Sequence, residues 1–85
     1  MANYRIVITR SAAKELEEVP RKDREKIVSK IQALASEPRP VGSERLAGDE
    51  KYRVRHGNYR VLYQIDDGAI VVTVVRVAHR REVYR

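Results

Sequence analysis

A short hairpin in the second half of the chain carries the residues that most clearly offer chemistry. Arg53 and Arg55 alternate along one predicted strand, Gly57-Asn58 follows, and Arg60 lies on the returning strand. Glycine and asparagine both tolerate the positive φ that a two-residue hairpin turn requires. Counting outward from this turn pairs His56 with Tyr59, Arg55 with Arg60, Val54 with Val61, and Arg53 with Leu62.

This register predicts one strongly basic face. Side chains alternate across a strand, so Arg53, Arg55 and Arg60 all emerge on the same side of the hairpin. Like charges that lie directly opposite each other destabilise a sheet. Three guanidinium groups crowded there indicate a surface that receives an anion, because arginine binds phosphate through two hydrogen bonds and stays charged.

The net charge of +6 is concentrated in the same half of the chain. Residues 1–50 contain 10 basic and 9 acidic side chains, whereas residues 51–85 contain 8 and 3. A localised positive field favours a polyanion or an acidic protein as partner. The alternative is a basic surface that only keeps the protein in solution.

Composition limits the class of protein. The 85 residues predict a single domain, 1–85, whose core comes from Ile, Val, Leu and Tyr, since Phe and Trp are absent. The chain contains no cysteine and no apolar run near ~20 residues, which favours a cytoplasmic protein without a membrane span. Two distant histidines give no metal-ligand pattern, and no cofactor-binding motif is present.

Hydrophobic periodicity predicts an α+β domain with element order β-α-α-β-β-β. A first strand precedes a helix that Thr9 or Ser11 could cap, and a second helix follows Pro20 over about 21–36. Residues 41–50 are expected to form a loop, and three more strands are expected near 51–56, 59–66 and 69–78. The sheet should be mainly antiparallel, with both helices packed on one face.

A second two-residue turn at Asp67-Gly68 would pair Ile65 with Ile70. The face that receives the helices would then carry Val54, Val61, Tyr63, Ile65, Ile70, Val72 and Val74. The opposite face would carry Arg53, Arg55, Arg60, Leu62, Val75, Val77 and His79. We expect Tyr52, Tyr59 and Tyr63 in the core, Arg76 paired with an acidic helix residue, and His56 exposed to solvent.

The chain ends in the run Arg76-Val-Ala-His-Arg-Arg-Glu-Val-Tyr84-Arg. Arg80 and Arg81 would extend the basic face, and Tyr84 could stack on an unpaired base. His79 is a candidate for proton transfer, because histidine is a common acid–base residue. Interleaved arginine and tyrosine predicts a site for single-stranded RNA.

Three segments in the second half of the chain carry a resemblance to a known family: Tyr52-Arg-Val-Arg, Gly57-Asn-Tyr-Arg-Val-Leu-Tyr-Gln-Ile-Asp, and the His79-Arg-Arg-Glu-Val-Tyr ending. They resemble the RelE branch of the RelE/ParE toxin superfamily. The resemblance covers nearly the whole chain, including the opening strand and the Pro-Arg-Pro loop. It implies a type II toxin, a metal-independent endoribonuclease that cleaves mRNA in the ribosomal A site and inhibits translation. It also implies an acidic RelB-like antitoxin, with the toxin monomeric alone and hetero-oligomeric with its antitoxin.

By position, the resemblance assigns roles to residues of the basic face. Arg53 and Arg55 correspond to two functional lysines of the best-known member, while Arg60, Arg80 and Tyr84 match functional residues of the same type. Glu44 corresponds to a general-base glutamate of one related branch. The residues expected to take part in catalysis are Arg53, Arg55, Arg60, Arg80 and Tyr84, with His79 and Glu44 as further candidates. The RNA-binding set is Arg53, Arg55, Arg60, Arg80 and Arg81.

Arginine in place of lysine bears on the chemistry. Guanidinium keeps its proton and is a poor base, so these arginines would stabilise charge while His79, Glu44 or ribosomal RNA accepts the proton. The resemblance leaves other functions open. They are a ParE-like inhibitor of DNA gyrase, a non-catalytic RNA-binding module, and a degenerate toxin that persists only as an antitoxin-bound partner.

Overall fold

The computed structural model describes residues 3–46 and 51–79. Its elements, in chain order, are β1 Arg5–Ile8, α1 Arg10–Glu17, α2 Arg21–Ala33, β2 Glu44–Arg45, β3 Lys51–His56, β4 Tyr59–Asp66 and β5 Val71–His79. No helix of this described part is long and apolar enough to cross a membrane.

The strands form one five-stranded sheet in the order β1-β5-β4-β3-β2. β1 is parallel to β5, and every other neighbouring pair is antiparallel. The predicted α+β class and mainly antiparallel sheet are confirmed. The expected loop over 41–50 is wrong at Glu44 and Arg45, which pair with Arg53 and Tyr52 of β3 to form the short edge strand β2. Its residues 47–50 lie outside the described residues.

Both helices begin where the sequence predicts. The Thr9 hydroxyl oxygen accepts a hydrogen bond from the Ala12 amide at 3.2 Å, which satisfies one of the unpaired amides at the start of α1. Pro20 occupies the N-cap of α2, and its carbonyl accepts from the Arg24 amide. α2 ends at Ala33, three residues earlier than expected, although the predicted apolar stripe of Ile27, Ile31 and Leu34 is buried.

The core lies between the helices and one face of the sheet. Tyr52 and Tyr63 are both buried and stack with ring centroids 5.8 Å apart, and Tyr59 packs against the same cluster. The prediction that these tyrosines belong to the core is confirmed. Tyrosine replaces the missing Phe and Trp as the large core residue, and the Tyr63 hydroxyl is satisfied by a hydrogen bond to the Pro38 carbonyl at 2.7 Å.

That hydrogen bond predicts a measurable stability loss in the Tyr63→Phe variant. The Pro38 carbonyl would lose its partner in a buried setting, so the free energy of unfolding should fall by about 1–3 kcal/mol. Urea denaturation measures this, with Tyr4→Phe, whose hydroxyl contacts Asp67 in an exposed pair, as the control of smaller effect. An unchanged midpoint for Tyr63→Phe would contradict the prediction.

The same residue gives a pH dependence. Burial raises the pKa of Tyr63 to about 12, above the ordinary value of 10.0. The unfolded chain therefore loses its proton first, and the stability contributed by the protonated hydroxyl is lost as the pH rises from about 10 to 12. The stability difference between wild type and Tyr63→Phe should narrow across this interval.

The second hairpin differs from the predicted two-residue turn. The last pair is Asp66 with Val71, so residues 67–70 form the turn and Ile65 lies opposite Val72. The Asp66 carboxylate accepts a hydrogen bond from the Ala69 amide at 2.9 Å, which stabilises the longer turn. Ile70 adopts a positive φ of 58° and is 41% exposed, so its predicted place on the apolar face is wrong.

A β-bulge changes the faces of β5. Tyr63 pairs with Val74 but Leu62 pairs with Arg76, so β5 has one extra residue at this point. Alternation is reversed beyond a bulge, because two residues oppose one. Val77 is consequently buried opposite Val61, on the helix-covered side. Its predicted place on the arginine face is wrong.

Candidate phosphate-binding site

The first hairpin has the predicted register. Arg55 lies opposite Arg60, Arg53 opposite Leu62, and Val54 opposite Val61, with Gly57 at a positive φ of 56° in the turn. Val54 and Val61 are buried against the helices. The three arginines therefore share the other face of the sheet, and we call Arg53, Arg55 and Arg60 the arginine cluster.

The three members of the arginine cluster differ in exposure. The Arg55 side chain is 53% exposed, the Arg53 side chain 15%, and Arg60 as a residue only 3%. Arg60 lies opposite the small residue Ala78 of β5, which leaves room for a long side chain over the sheet. Since guanidinium stays charged when buried, Arg60 places a fixed positive charge beneath the more exposed members.

A carboxylate from β2 lies among these arginines. Oε2 of Glu44 is 2.6 Å from Nη2 of Arg53, and Oε1 is 3.3 Å from Nη2 of Arg55. The cross-strand pairing of Glu44 with Arg53 aligns the two side chains. The hydrogen bond from Arg53, helped by the nearby charges of Arg55 and Arg60, lowers the pKa of Glu44 below its usual value. Glu44 is thus ionised at neutral pH and already paired.

α2 supports the backbone that carries the cluster. Nζ of Lys30 donates to the Arg55 carbonyl at 2.6 Å, and Nε2 of His56 lies 3.1 Å from Oδ1 of Asp23. The His56 side chain is only 18% exposed, so the expectation of a solvent-exposed histidine is wrong. Sequence reasoning missed both contacts, because they join residues 25 and 33 positions apart and leave no local pattern.

His79 does not join the arginine cluster. It lies opposite Tyr59, beyond the bulge, and its ring packs edge-on against the Tyr59 ring at 5.3 Å between centroids. Both rings line a surface cavity that is also lined by Glu15, Glu18 and Val19 of the α1 region. The predicted place of His79 on the arginine face is wrong, because the bulge rotated the end of β5 toward the helices.

This placement gives an expected result for His79→Ala. Loss of the edge-on aromatic contact should lower the free energy of unfolding by about 0.5–1.5 kcal/mol. In the RNA cleavage that the family resemblance implies, the folded variant should not show the ~10²–10⁴-fold slowing that loss of a general base produces. Single-turnover cleavage at a temperature where both proteins are folded measures this, and slowing in that range would restore His79 as the base.

Ion pairs join the turn between β4 and β5, and β5 itself, to other elements. Arg76 pairs with Glu15 of α1 at 3.0 Å, as predicted, and Glu15 also accepts from the Val77 amide. Arg39 pairs with Asp67 at 2.8 Å and lies over the Tyr52 ring. The sequence pattern predicts Asp67 only as a turn residue and gives no signal of its contact with Arg39. The Arg39 contacts fix the Pro-Arg-Pro loop next to the core.

Arg80, Arg81 and Tyr84 lie outside the described residues, so their predicted contributions stay predictions. Within residues 3–46 and 51–79, no group of three or more His, Cys, Asp or Glu side chains is arranged to hold a metal ion. At the arginine cluster, the described residues supply fixed positive charge, the paired carboxylate of Glu44 and hydrogen bonding from α2 to the backbone of β3.

Comparison with known proteins places the chain in a family. The family model described as the ParE toxin of the type II toxin–antitoxin system parDE matches residues 6–84. The chain belongs to the RelE/ParE toxin superfamily. The toxin is 35% identical over 86 aligned positions to Toxin RelG of Mycobacterium tuberculosis, covering 96% of this chain and 97% of the relative. Toxin RelE of the same organism is 34% identical, with coverage of 96% and 87%.

Solved structures agree with this placement. The toxin superposes on the toxin–antitoxin complex RelBE2 from Mycobacterium tuberculosis with a TM-score of 0.80 and 30% identity, covering 92% of this chain and 99% of that one. It matches the isolated E. coli RelE toxin with a TM-score of 0.80 and 29% identity, covering 95% and 90%. The resemblance to the RelE branch is confirmed, and the α+β fold predicted from periodicity matches these structures.

Proposed function

We propose that the toxin is a ribosome-dependent endoribonuclease that cleaves mRNA in the A site and so inhibits translation. The observation that carries the proposal is the arginine cluster: three side chains on one sheet face, graded from exposed to buried, with backbone support from α2. Such a cluster fits a phosphodiester, since guanidinium groups offer paired donors to phosphate oxygens. The relatives named RelG and RelE support the nuclease class.

The reaction is attack of a ribose 2′-hydroxyl on the adjacent phosphorus. The 2′-oxygen loses its proton and bonds to phosphorus, the bond to the 5′-oxygen breaks, and that oxygen leaves with a proton. Negative charge builds on the phosphorane oxygens between these events. Arg53, Arg55 and Arg60 would stabilise that charge with donors already in place, which is the term that most lowers the barrier in such sites. Arg80 would add to this charge and Arg81 to RNA binding.

We further propose that the toxin positions the message and that ribosomal RNA contributes to proton transfer. His79 lies on the helix-covered side of the sheet, and Glu44 is held in ion pairs with a lowered pKa. Arginine is too weak a base to replace either group. Tyr84 would stack on a base of the message or contact it through its hydroxyl, which would hold the 2′-oxygen in line with the scissile bond.

The partner proposed for the toxin is an acidic, RelB-like antitoxin. Structural neighbours include the RelBE2 complex and an archaeal RelE–RelB complex from Pyrococcus horikoshii, the latter with a TM-score of 0.83 and 26% identity over 92% of this chain and 96% of that one. The net charge of +6 gives the toxin the electrostatic character that an acidic segment complements. The free toxin would be monomeric and the complex hetero-oligomeric.

In vitro translation followed by primer extension tests the proposed activity. Wild-type toxin should stop translation and produce cuts within codons that occupy the A site, and the same mRNA without ribosomes should stay intact. Arg55→Gln should reduce cutting. Arg21→Gln removes an exposed charge at the start of α2, outside the arginine cluster, and should leave cutting unchanged. Arrest without cuts would exclude the nuclease and favour a non-catalytic RNA-binding module.

A second candidate function follows from the matching family model, which is named for the ParE toxin. A ParE-like toxin would inhibit DNA gyrase by binding it, without RNA chemistry. A supercoiling assay run beside the translation assay separates the two functions. Inhibition of supercoiling together with intact mRNA would favour the ParE-like activity.

A further inference from the structure

Glu44 lies where an RNA phosphate would have to bind. Its two carboxylate oxygens contact different members of the arginine cluster, Arg53 at 2.6 Å and Arg55 at 3.3 Å. Two oxygens bridging two guanidinium groups reproduce the arrangement expected for the two non-bridging oxygens of a phosphodiester. The carboxylate and a bound phosphate cannot both occupy this position, since two like charges in contact repel.

The segment that carries Glu44 is lightly held. β2 contains only two residues and forms the edge of the sheet. On either side of it, the Ser43 amide donates to the Pro40 carbonyl and the Leu46 amide donates to the Lys51 carbonyl. The Glu44 side chain is half exposed, so its ion pairs are screened by water and weak. Displacing the side chain requires rotation about its own bonds and leaves the core intact.

The arginines gain from the contact in the absence of RNA. Arg53 and Arg55 are neighbours on one face, with Arg60 directly opposite Arg55, so their charges repel. A carboxylate between them offsets that repulsion and holds Arg53 and Arg55 with their donors converging on one point. Nε of Arg53 is buried and makes no hydrogen bond to a described residue, which leaves a further donor close to the same point.

We propose that Glu44 is an internal substitute for the phosphate: it organises Arg53 and Arg55 in the free toxin, competes with RNA for them, and is displaced when the message binds. The proposal rests on the proposed function for the identity of the phosphate. In this role Glu44 positions the two arginines and sets their affinity for anions. The affinity of the exposed face is lowered for anions that bind too weakly to displace a carboxylate.

The decisive comparison is wild type against Glu44→Gln, which keeps the shape and removes the charge, with Glu37→Gln as a control for loss of one exposed carboxylate. The first probe is inorganic phosphate, followed by NMR through the Nε–H signals of Arg53 and Arg55. The second is a non-cleavable 2′-O-methyl RNA oligonucleotide, followed by fluorescence anisotropy. Glu44→Asp, which keeps the charge but reaches less far, gives a second variant if Glu44→Gln folds poorly.

We expect Glu44→Gln to bind both probes about 2- to 5-fold more tightly than wild type, the size of effect given by a partly exposed ion pair. Glu37→Gln should match wild type. Equal or weaker phosphate binding by Glu44→Gln would overturn the proposal. So would a ~10²–10⁴-fold loss of single-turnover cleavage at saturating RNA, which would make Glu44 the general base. Tighter phosphate binding by Glu44→Gln with no RNA binding by either protein would support the internal substitute and reject the RNA function.

Discussion

The double variant Arg53→Gln/Arg55→Gln is expected to bind single-stranded RNA about 10²- to 10⁴-fold more weakly than wild type. Each substitution removes a charge-assisted hydrogen bond to phosphate, worth about 1.5–3 kcal/mol, and each ~1.4 kcal/mol is a factor of ten. The logarithmic slope of affinity against salt should also flatten by about 1.4, because each lost contact to a single-stranded phosphate removes ~0.7. Both arginines are only partly buried, and the core lies on the other face of the sheet, so the variant should fold.

Anisotropy titrations at several salt concentrations measure this result. The matched control is Arg10→Gln/Arg21→Gln, which removes the same charge from exposed positions on α1 and α2. If the control loses as much affinity as the test variant, binding depends on net charge alone. A wild-type salt slope near zero would mean that the arginine cluster does not contact phosphate.

Binding of the antitoxin is expected to raise the stability of the toxin by about 2.7–4.1 kcal/mol when free antitoxin is present at 100 to 1,000 times its dissociation constant. An acidic segment over or beside the arginine cluster would offset the repulsion among its charges. For a domain of this size each kcal/mol corresponds to roughly 4–8 °C, so the melting temperature should rise by more than ~10 °C. The proposed cleavage activity should disappear over the same titration.

Thermal unfolding of the toxin with increasing antitoxin, run beside the translation assay, tests both effects. The antitoxin can be recovered by pull-down of tagged toxin expressed from its native operon. A partner that inhibits without stabilising would act away from the folded domain. Recovery of the toxin alone, at every salt concentration, would contradict the antitoxin proposal.

The features of the fold that could be predicted from the sequence are those determined by neighbouring residues in the chain. The first hairpin was predicted in full, because Gly57-Asn58 dictates the turn and alternation then assigns each face. The second failed, since the Asp66 side chain stabilises a longer turn than the Asp-Gly pattern suggests. The bulge in β5 has no signature in the chain, and it alone moved Val77 and His79 to the helix side.

The sequence predicted which arginines form the site, but it did not predict their burial or their ion pairs. The shared face of Arg53, Arg55 and Arg60 followed from periodicity alone. Arg60 is buried opposite the small residue Ala78, and Glu44 bridges two arginines from a strand of only two residues. Both are tertiary facts, in which packing decides what propensity leaves open.

The strand order has a consequence for how the toxin is made. β5 lies inside the sheet between β1 and β4, yet it is the last described strand to leave the ribosome during synthesis. Until it emerges, β1 has no neighbour in the sheet and α1 lacks the strand against which it packs. A chain of this topology cannot complete its sheet from the N-terminus onward, because the non-local pairing of β1 with β5 must wait until β5 has been synthesised. Each copy of the toxin should therefore reach its folded form only after β5 has left the ribosome.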